Sequence, residues 1–541
     1  MKNRQASRQP VLYLFFFLLL LIAYLPSFQA EWHFDDHPNI LDNTPLHLTE
    51  LTPQSLQQTF FAYPESKGTF LRPVSNLSFA LNWFFQQDKV FGYHLVNFFI
   101  HLLTTIFLFQ SCLLLLSTPK MKGRLQGNPY LIAALAALFW ALHPIQTQAV
   151  TYIVQRVASL AAMFSIMGIW CFLKARLQHE KNIKKQIGYY LATLIAFLFA
   201  LGSKENAILL PASLVLIELF FFRQTIKLSK QNLIILVLGF LFVLAFTILL
   251  KGPDVFHKVF ASYSTRSFTP GQRILTESRV VLFYLSLLFY PAPFRLSLIH
   301  DIQVSTSLFH PITTLFAVLS LGFLIILPFI LHKRYPLFAF ALLFFLLNHT
   351  VESTFLNLEL IFEHRNYLPS FFLFLPVASL ISGLIHQYRQ RNTTVSLVLT
   401  GATALFIIFL VFATLTRNKI WQTEQSLWTD ALKKAPQSSG PYINLGLYYL
   451  LQTNNLQKAF ELHFLSLDKK SATPWKTKLW AYQNMGYIMK RQGRYDKALQ
   501  FYDQALAQSQ YKPYGNNNRA IQAEKAQVLW KTGQQEPAMR I

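Results

Sequence analysis

The sequence predicts an all-α protein with a polytopic membrane core of about eleven transmembrane helices and a C-terminal array of helical repeats. Two observations carry the membrane core. Hydrophobic residues make up 53% of the 541 positions and charged residues only 13%, about half the usual share of a soluble domain. The apolar residues also fall in long runs separated by short basic segments. A third observation carries the array: beyond about residue 416 the chain turns polar and helix-forming, with small and aromatic residues recurring at a fixed interval.

The first apolar run, residues 11–28, follows Lys2, Arg4 and Arg8 and is long enough to cross a bilayer. Phe28 occupies the −3 position before a cleavage point after Ala30, where a signal peptide needs a small residue, so the run reads as a retained helix. Further spans are expected at 92–116, 130–149, 157–173, 188–201, 207–222, 233–250, 311–331, 337–350, 368–385 and 395–415. The segment 275–293 is apolar but holds Glu277, Arg279, Pro291 and Pro293. Counting it as a span would invert the later charge bias, so a re-entrant or interfacial helix is expected there.

With the N-terminus cytoplasmic, the inner loops carry Lys120, Lys122 and Arg124, then Lys174, Arg176, Lys181, Lys184 and Lys185. Arg223, Lys227 and Lys230 follow, then Lys333 with Arg334 and Arg389 with Arg391. This pattern obeys the positive-inside rule, so the net charge of +24 reads as orientation signal in a multi-pass membrane protein and argues against a nucleic-acid partner. The lipid bilayer is the partner that composition implies. Cys112 and Cys171 both sit in apolar runs and mark no structural disulfide.

The outer face then receives the first loop, residues 29–91, together with 203–206, 351–367 and everything after Arg417. The first loop is acidic and holds the adjacent pair Asp35 and Asp36 in the run EWHFDDHPN. Such a run is also strong turn chemistry. In an extended segment the two carboxylates would point to opposite sides and take different parts.

In the C-terminal segment, residues 417–541, Gly446, Gly486 and Ala526 are spaced 40 apart, as are Gly493 with Gly533 and Ala498 with Ala538. The unit NMGYIMKRQGRYDKALQFYDQAL matches a tetratricopeptide helix pair, its small residues letting two helices approach while aromatics fill the grooves. The interval exceeds the usual 34 or so residues, which places insertions near 471–476 and 510–516. A degenerate helix, SLWTDALKKAP, caps the array. The array reads as a surface for a protein partner or as a structural lid.

His94, Asn97 and His101 share one helix face. The two histidines stand about 10 Å apart along the axis, so interhelical hydrogen bonds are expected and a shared metal is not. His143 and Arg156 frame a turn suited equally to substrate contact and to anchoring. No metal-ligand spacing stands out and no cofactor is implied.

In order along the chain, FDDHPNILDN, LRPVSNLSFALN, GYHLVNFFIHLL, ALHPIQTQAVTYIVQR, GSKENAILLP, EHRNYLPS and the repeats together resemble the transmembrane, tetratricopeptide-containing O-mannosyltransferase family and its bacterial relatives. The resemblance covers the whole chain. It implies a C-type glycosyltransferase fold over residues 1–416, which takes a sugar from a polyprenyl-phosphate donor on the outer face and passes it, with inversion, to a hydroxyl. The acceptor implied is Ser or Thr of an exported protein, or alternatively a glycan.

An acidic residue of the first outer loop does the proton transfer in such enzymes, and here it maps onto Asp35 or Asp36. Inverting transfer needs a carboxylate to take the acceptor proton, and cations or hydrogen-bond donors around the departing phosphate. For the second role the candidates are Arg72, His94, Arg156, Lys204, His364 and Arg365, with Glu205 and Glu363 as neighbours of the two favoured cations, Lys204 and Arg365. The chain departs from the family's acidic-Arg order ahead of the tyrosine, placing Glu363, His364 and Arg365 before Asn366 and Tyr367. Its array is also short. Compact loops and few cysteines point to a bacterial inner membrane with the repeats periplasmic or extracellular. A non-catalytic membrane-anchored scaffold is the alternative, and a secondary transporter, which would bury its charges near the bilayer midplane, is the other.

Overall fold

A computed structural model describes residues 9–63, 68–178, 182–223, 254–508 and 515–540. The chain is all-helical, with no strand among the described residues. Among the described residues six helices are long and apolar enough to cross a membrane: Gln9–Gln29, Val90–Leu116, Ile153–Leu177, Glu205–Phe222, Thr313–Leu331 and Thr393–Ile420. A seventh crossing is available if Pro129–Ala141 and Pro144–Val150, bent by 50° at the break, act as one.

The expected eleven are therefore not all full-length spans. Ile183–Leu201 opens on Lys184, Lys185 and Gln186, which lower its hydropathy. Pro336–His349 has 14 residues, about 21 Å of helix against a hydrocarbon core of about 30 Å. Leu375–Arg391 ends on Arg389 and Arg391, and 367–374 ahead of it is a string of turns. The expected span 233–250, with Lys227 and Lys230, lies outside the described residues.

Phe16, Leu20, Ala23 and Tyr24 of the first helix are wholly buried, packed with the Val90–Leu116 and Thr393–Ile420 helices. Ile153–Leu177 and Val90–Leu116 are the most enclosed spans, whereas Thr313–Leu331 and Thr393–Ile420 keep most of their apolar residues exposed. Those outer faces suit lipid contact.

Hydrogen bonds sort the helix ends into two groups. At one end the basic loops gather, with Arg124 Nη1 donating to Lys333 O at 3.0 Å, Asn128 N to Ser382 Oγ at 3.1 Å, and Arg176 pairing with Glu218 at 2.8 Å. At the other end Asn97 donates to Val150 O, Thr151 to Asn418, Asn418 to Ala23 O, Val74 N to Gly202 O, and Lys204 to Glu352.

The helix Pro270–Phe289 starts and finishes at that same polar end. Near its start Arg273 donates to the carbonyls of Glu352, Thr354 and Leu358. Near its finish Leu288 O lies 3.0 Å from His143 Nε2. The chain then runs back along it, with Ser305 N donating to Thr276 Oγ1, before Thr313–Leu331 begins with Thr314 bonded to Ser305. This helix lies along the polar end of the bundle, as its three charged residues require.

The Thr393–Ile420 helix runs four residues past the domain boundary expected at 416. Glu424–Lys434, Ser439–Leu451, Leu456–Ser466, Pro474–Arg491, Tyr495–Gln508, Gly515–Lys531 and Gln535–Met539 then pack on one another in chain order. Gly493 and Gly533, 40 apart, both adopt positive φ (73° and 80°) just after a helix end, a conformation that costs glycine least. Gly446 lets His463 approach to 2.9 Å of where a Cβ would stand, and Gly486 does the same for Tyr502 at 2.8 Å.

Candidate functional site

Asp35 and Asp36 lie in a helical turn, not in an extended segment: Asp36 has φ −61° and ψ −37°, and the turn continues through His37–Leu41. The turn chemistry of His37, Pro38 and Asn39 prevailed over strand geometry. The two carboxyls still part company, because successive side chains on a helical turn stand about 100° apart; Phe34 just before them adopts φ 45°, a conformation rare for a bulky residue.

Asp36 is wholly buried. Its Oδ2 accepts the His33 N–H at 3.0 Å and its Oδ1 the Val154 N–H at 2.7 Å. Burial pushes its carboxyl up to about 7, against the two N–H bonds and His33, which favour the anion. Asp35 is partly exposed; its own N–H donates to Tyr152 Oη at 2.8 Å.

Arg156, at the start of the Ile153–Leu177 span, is fully buried. Nε donates to Asn97 Oδ1 at 2.6 Å, Nη1 to Ser78 O and Asn82 Oδ1, and Nη2 to Tyr93 O at 2.9 Å, with the guanidinium over the Phe79 ring at 4.7 Å. This fork fastens Pro73–Gln86 and Val90–Leu116 together. His94 Nε2 lies 3.1 Å from Ala30 O, and His101 lies within bonding distance of Tyr367 Oη and Ala141 O. These are interhelical bonds, as the spacing predicts.

A second group of charges surrounds residues 349–367. The ion pairs differ from the neighbour pairs that the sequence proposes: Lys204 meets Glu352 at 2.5 Å, while Glu205 takes a bidentate fork from Arg72 at 3.0 to 3.3 Å. Glu363 accepts from Ser297 N at 2.6 Å and faces His300 Nε2 at 2.9 Å, not Arg365. Adjacent residues on a helical turn face different sides, so chain neighbours cannot pair as well as partners on another segment. Arg365 donates to the carbonyls of Leu360 and Glu359.

His364 is buried, and its N–H donates to Gln148 Oε1 at 2.8 Å. Burial, together with the positive charges of Lys204, Arg365 and Arg72, holds its imidazole well below its ordinary range. The ring is thus a neutral group within a cluster of cations. Glu277, paired with Arg273 at 2.8 Å, is pushed up to about 7 by burial against the pull of Arg365 and Arg273.

The stretch 148–154, the end of one short helix and the start of the next, connects the two groups. Gln148 touches His364, Tyr152 takes the Asp35 N–H, and Val154 holds Asp36. Four residues separate Gln148 from Tyr152, so their Cα atoms are at most about 14 Å apart. Sequence reasoning put Glu352 on the outer face within 351–367 and Glu277 in the interfacial segment, but named neither of them, nor Arg273, as a site residue; the role of Glu352 shows itself through partners on a distant segment, Lys204 and Asn206.

Fold and site define a helical membrane protein with a carboxylate turn and a buried cationic cluster at one end of the bundle. Among curated proteins the chain is similar to Protein O-mannosyl-transferase F38B6.6 of Caenorhabditis elegans, 24% identical over 470 residues, which are 83% of this chain and 61% of that protein. It is 28% identical to Protein O-mannosyl-transferase TMTC3 of Mus musculus over 203 residues, 37% of this chain and 20% of that one. Protein O-mannosyl-transferase Tmtc1 of Drosophila melanogaster is 32% identical over 195 residues, 35% of this chain and 20% of that one. The matched stretches thus span about a fifth of the length of the mouse and fly relatives and under two thirds of the worm protein. No family model and no solved structure matches the chain.

Proposed function

We propose that this chain is a membrane glycosyltransferase that moves a sugar, mannose by analogy with its relatives, from a polyprenyl-phosphate carrier to a hydroxyl of Ser or Thr in an exported protein. The observation that carries the reading is the approach of a partly exposed carboxylate, Asp35, to the cluster of Arg72, Lys204, His364 and Arg365 along the 148–154 stretch. The names of the similar proteins support it.

In this reading Asp35 is the general base. Its carboxylate takes the proton of the acceptor hydroxyl as that oxygen bonds to the anomeric carbon, and the carbon–oxygen bond to phosphate breaks with inversion. The polyprenyl phosphate leaves with the bonding electron pair, and its charge is met by Lys204, Arg365 and Arg72. Asp36 holds the turn in place. Arg156 and His94 are taken up by protein partners and hold the scaffold around the site, with Glu205 and Glu363 setting the cations and the His300 segment.

We also propose that residues 1–416 form the catalytic unit and 417–541 a tetratricopeptide-like solenoid that docks the acceptor or a partner protein. The proposed setting is a bacterial inner membrane, with the basic loops cytoplasmic and the array on the outer face.

The test follows transfer from radiolabelled polyprenyl-phosphate sugars into lipid, glycan and protein fractions, in membranes holding wild type, Asp35→Asn or Asp36→Asn at matched expression. Asp35→Asn is expected to lose about a hundredfold or more in rate with unchanged thermal stability, the usual worth of a general base. Asp36→Asn is expected to lower stability, because its amide places a donor against an N–H. Equal labelling in all three, or none with any donor, overturns the reading in favour of a scaffold.

A further inference from the structure

The aspartate turn is held as much by the array as by the membrane helices. Glu31 N–H donates to Gln422 O at 3.0 Å, and Glu424 N–H returns a bond to Glu31 Oε2 at 2.9 Å. His33 places Nε2 2.6 Å from Trp421 O and Nδ1 3.2 Å from Glu424 Oε1. The same Oε1 accepts the Phe34 N–H at 3.3 Å, and Oε2 accepts Trp428 Nε1–H at 2.8 Å. Phe34 packs edge-on against Trp428, and His33 against Trp421.

Two physical consequences follow. Both ring nitrogens of His33 face groups that only accept once Glu424 is ionised, so the ring carries both protons and meets Glu424 as an imidazolium. Phe34 sits at φ 45°, a conformation that persists only where its surroundings enforce it. Its N–H bond to Glu424 and its ring contact with Trp428 are that enforcement, and both come from the first turns of the Glu424–Lys434 helix.

We infer that Glu424 is a positioning residue for sugar transfer: by bonding Phe34 N–H and His33 it fixes the positive-φ kink that delivers the Asp35–Asp36 turn to Tyr152 and Val154. This rests on the proposed function for its catalytic consequence, and on geometry alone for the clamp. The array's first helix is thereby part of the site and not merely tethered beside it. Glu424 contacts no reacting group and acts through residues 33–36.

The experiment uses the full chain in detergent or nanodiscs and compares wild type with Glu424→Gln, Glu424→Ala, Phe34→Gly and the Glu424→Ala/Phe34→Gly pair. Amide hydrogen exchange over residues 31–40 is read beside thermal stability and, with a radiolabelled polyprenyl-phosphate sugar, kcat and KM. Glu424→Ala is expected to speed exchange of the Phe34 amide at least tenfold, the worth of one charge-assisted bond, and to lower kcat about tenfold or more with KM for the carrier little changed. Glu424→Gln keeps an acceptor for Phe34 N–H but not the charge for His33, so it falls between. Glycine accepts positive φ without steric cost, so the double variant is expected to recover part of the kcat lost in Glu424→Ala.

Unchanged exchange at 31–40, or a loss of protection spread over the whole array with no local excess, overturns the clamp. A normal kcat despite a loosened turn overturns its catalytic consequence. If the wild type transfers no sugar, the exchange measurement still judges the clamp, and the function reading is what falls.

Discussion

Asp35 and Asp36 are chemically identical and adjacent, yet one is sealed against two backbone N–H groups and the other is partly exposed. The difference comes from the turn of about 100° between successive helical side chains and from partners 117 residues away or more, Tyr152 and Val154. His33 and Glu424 add a measurable pH dependence. Burial opposes charge on His33, but the Glu424 carboxylate and Asp36 outweigh it and raise its pKa above the ordinary 6.5. Burial likewise opposes charge on Glu424, and His33 with Trp428 outweighs it and holds the pKa below 4.5. His33's stabilisation is complete below 6.5 and is lost as pH rises through its raised value. Glu424's is complete above 4.5 and is lost as pH falls through its lowered value. The pair is therefore strongest between 4.5 and 6.5. The expected outcome is that wild type loses melting temperature from pH 6.5 upward more steeply than Glu424→Gln, and equal slopes would remove the pair from the stability of the fold.

At the scale of single helices, small residues decide how the array closes. A Cβ on Gly486 would stand 2.8 Å from two carbons of the Tyr502 ring, which is buried and cannot swing away. Gly486→Ala is accordingly expected to cost about 1 to 3 kcal/mol by overpacking, offset by up to about 1 kcal/mol from better helix propensity, and chemical denaturation followed by far-UV circular dichroism checks it. Gly493→Ala should also destabilise, through strain at positive φ and not through crowding, since nothing lies within 4 Å of its Cβ position. The 40-residue spacing made these positions legible in the sequence, because a repeated unit must repeat its close contacts and its helix ends. The pairing of His463 with Gly446 carried no such signal.

For the whole molecule the question is which ends of the helices share a side of the membrane. Pro270–Phe289 has both ends tied to the polar end of the bundle, whereas Thr313–Leu331 leads from there to the basic end, where Lys333 O meets Arg124. Single cysteines at Gly271 and Phe294, at the two ends of this helix, in a chain with Cys112 and Cys171 replaced by alanine, are expected to react with an impermeant maleimide from one side, and a cysteine at Arg334 from the other. Labelling of Gly271 and Phe294 from opposite sides would make Pro270–Phe289 a true crossing.

The sequence by itself determined the all-helical membrane class, the basic and polar ends, the short-range patterns of His94, Asn97 and His101, and the small-residue repeat. Each rests on periodicity, composition or local charge, which are properties of neighbouring residues. Of the eleven spans expected, six stand as helices long and apolar enough to cross among the described residues, while Ile183–Leu201, Pro336–His349 and Leu375–Arg391 fall short of that length or hydropathy. Only the tertiary structure decided that Lys204 pairs with Glu352, that Arg156 is spent on neutral acceptors, and that Glu424 reaches back some 390 residues to the aspartate turn. Buried charges must find partners wherever the fold supplies them, and that choice belongs to the packing of distant segments, which no local pattern encodes.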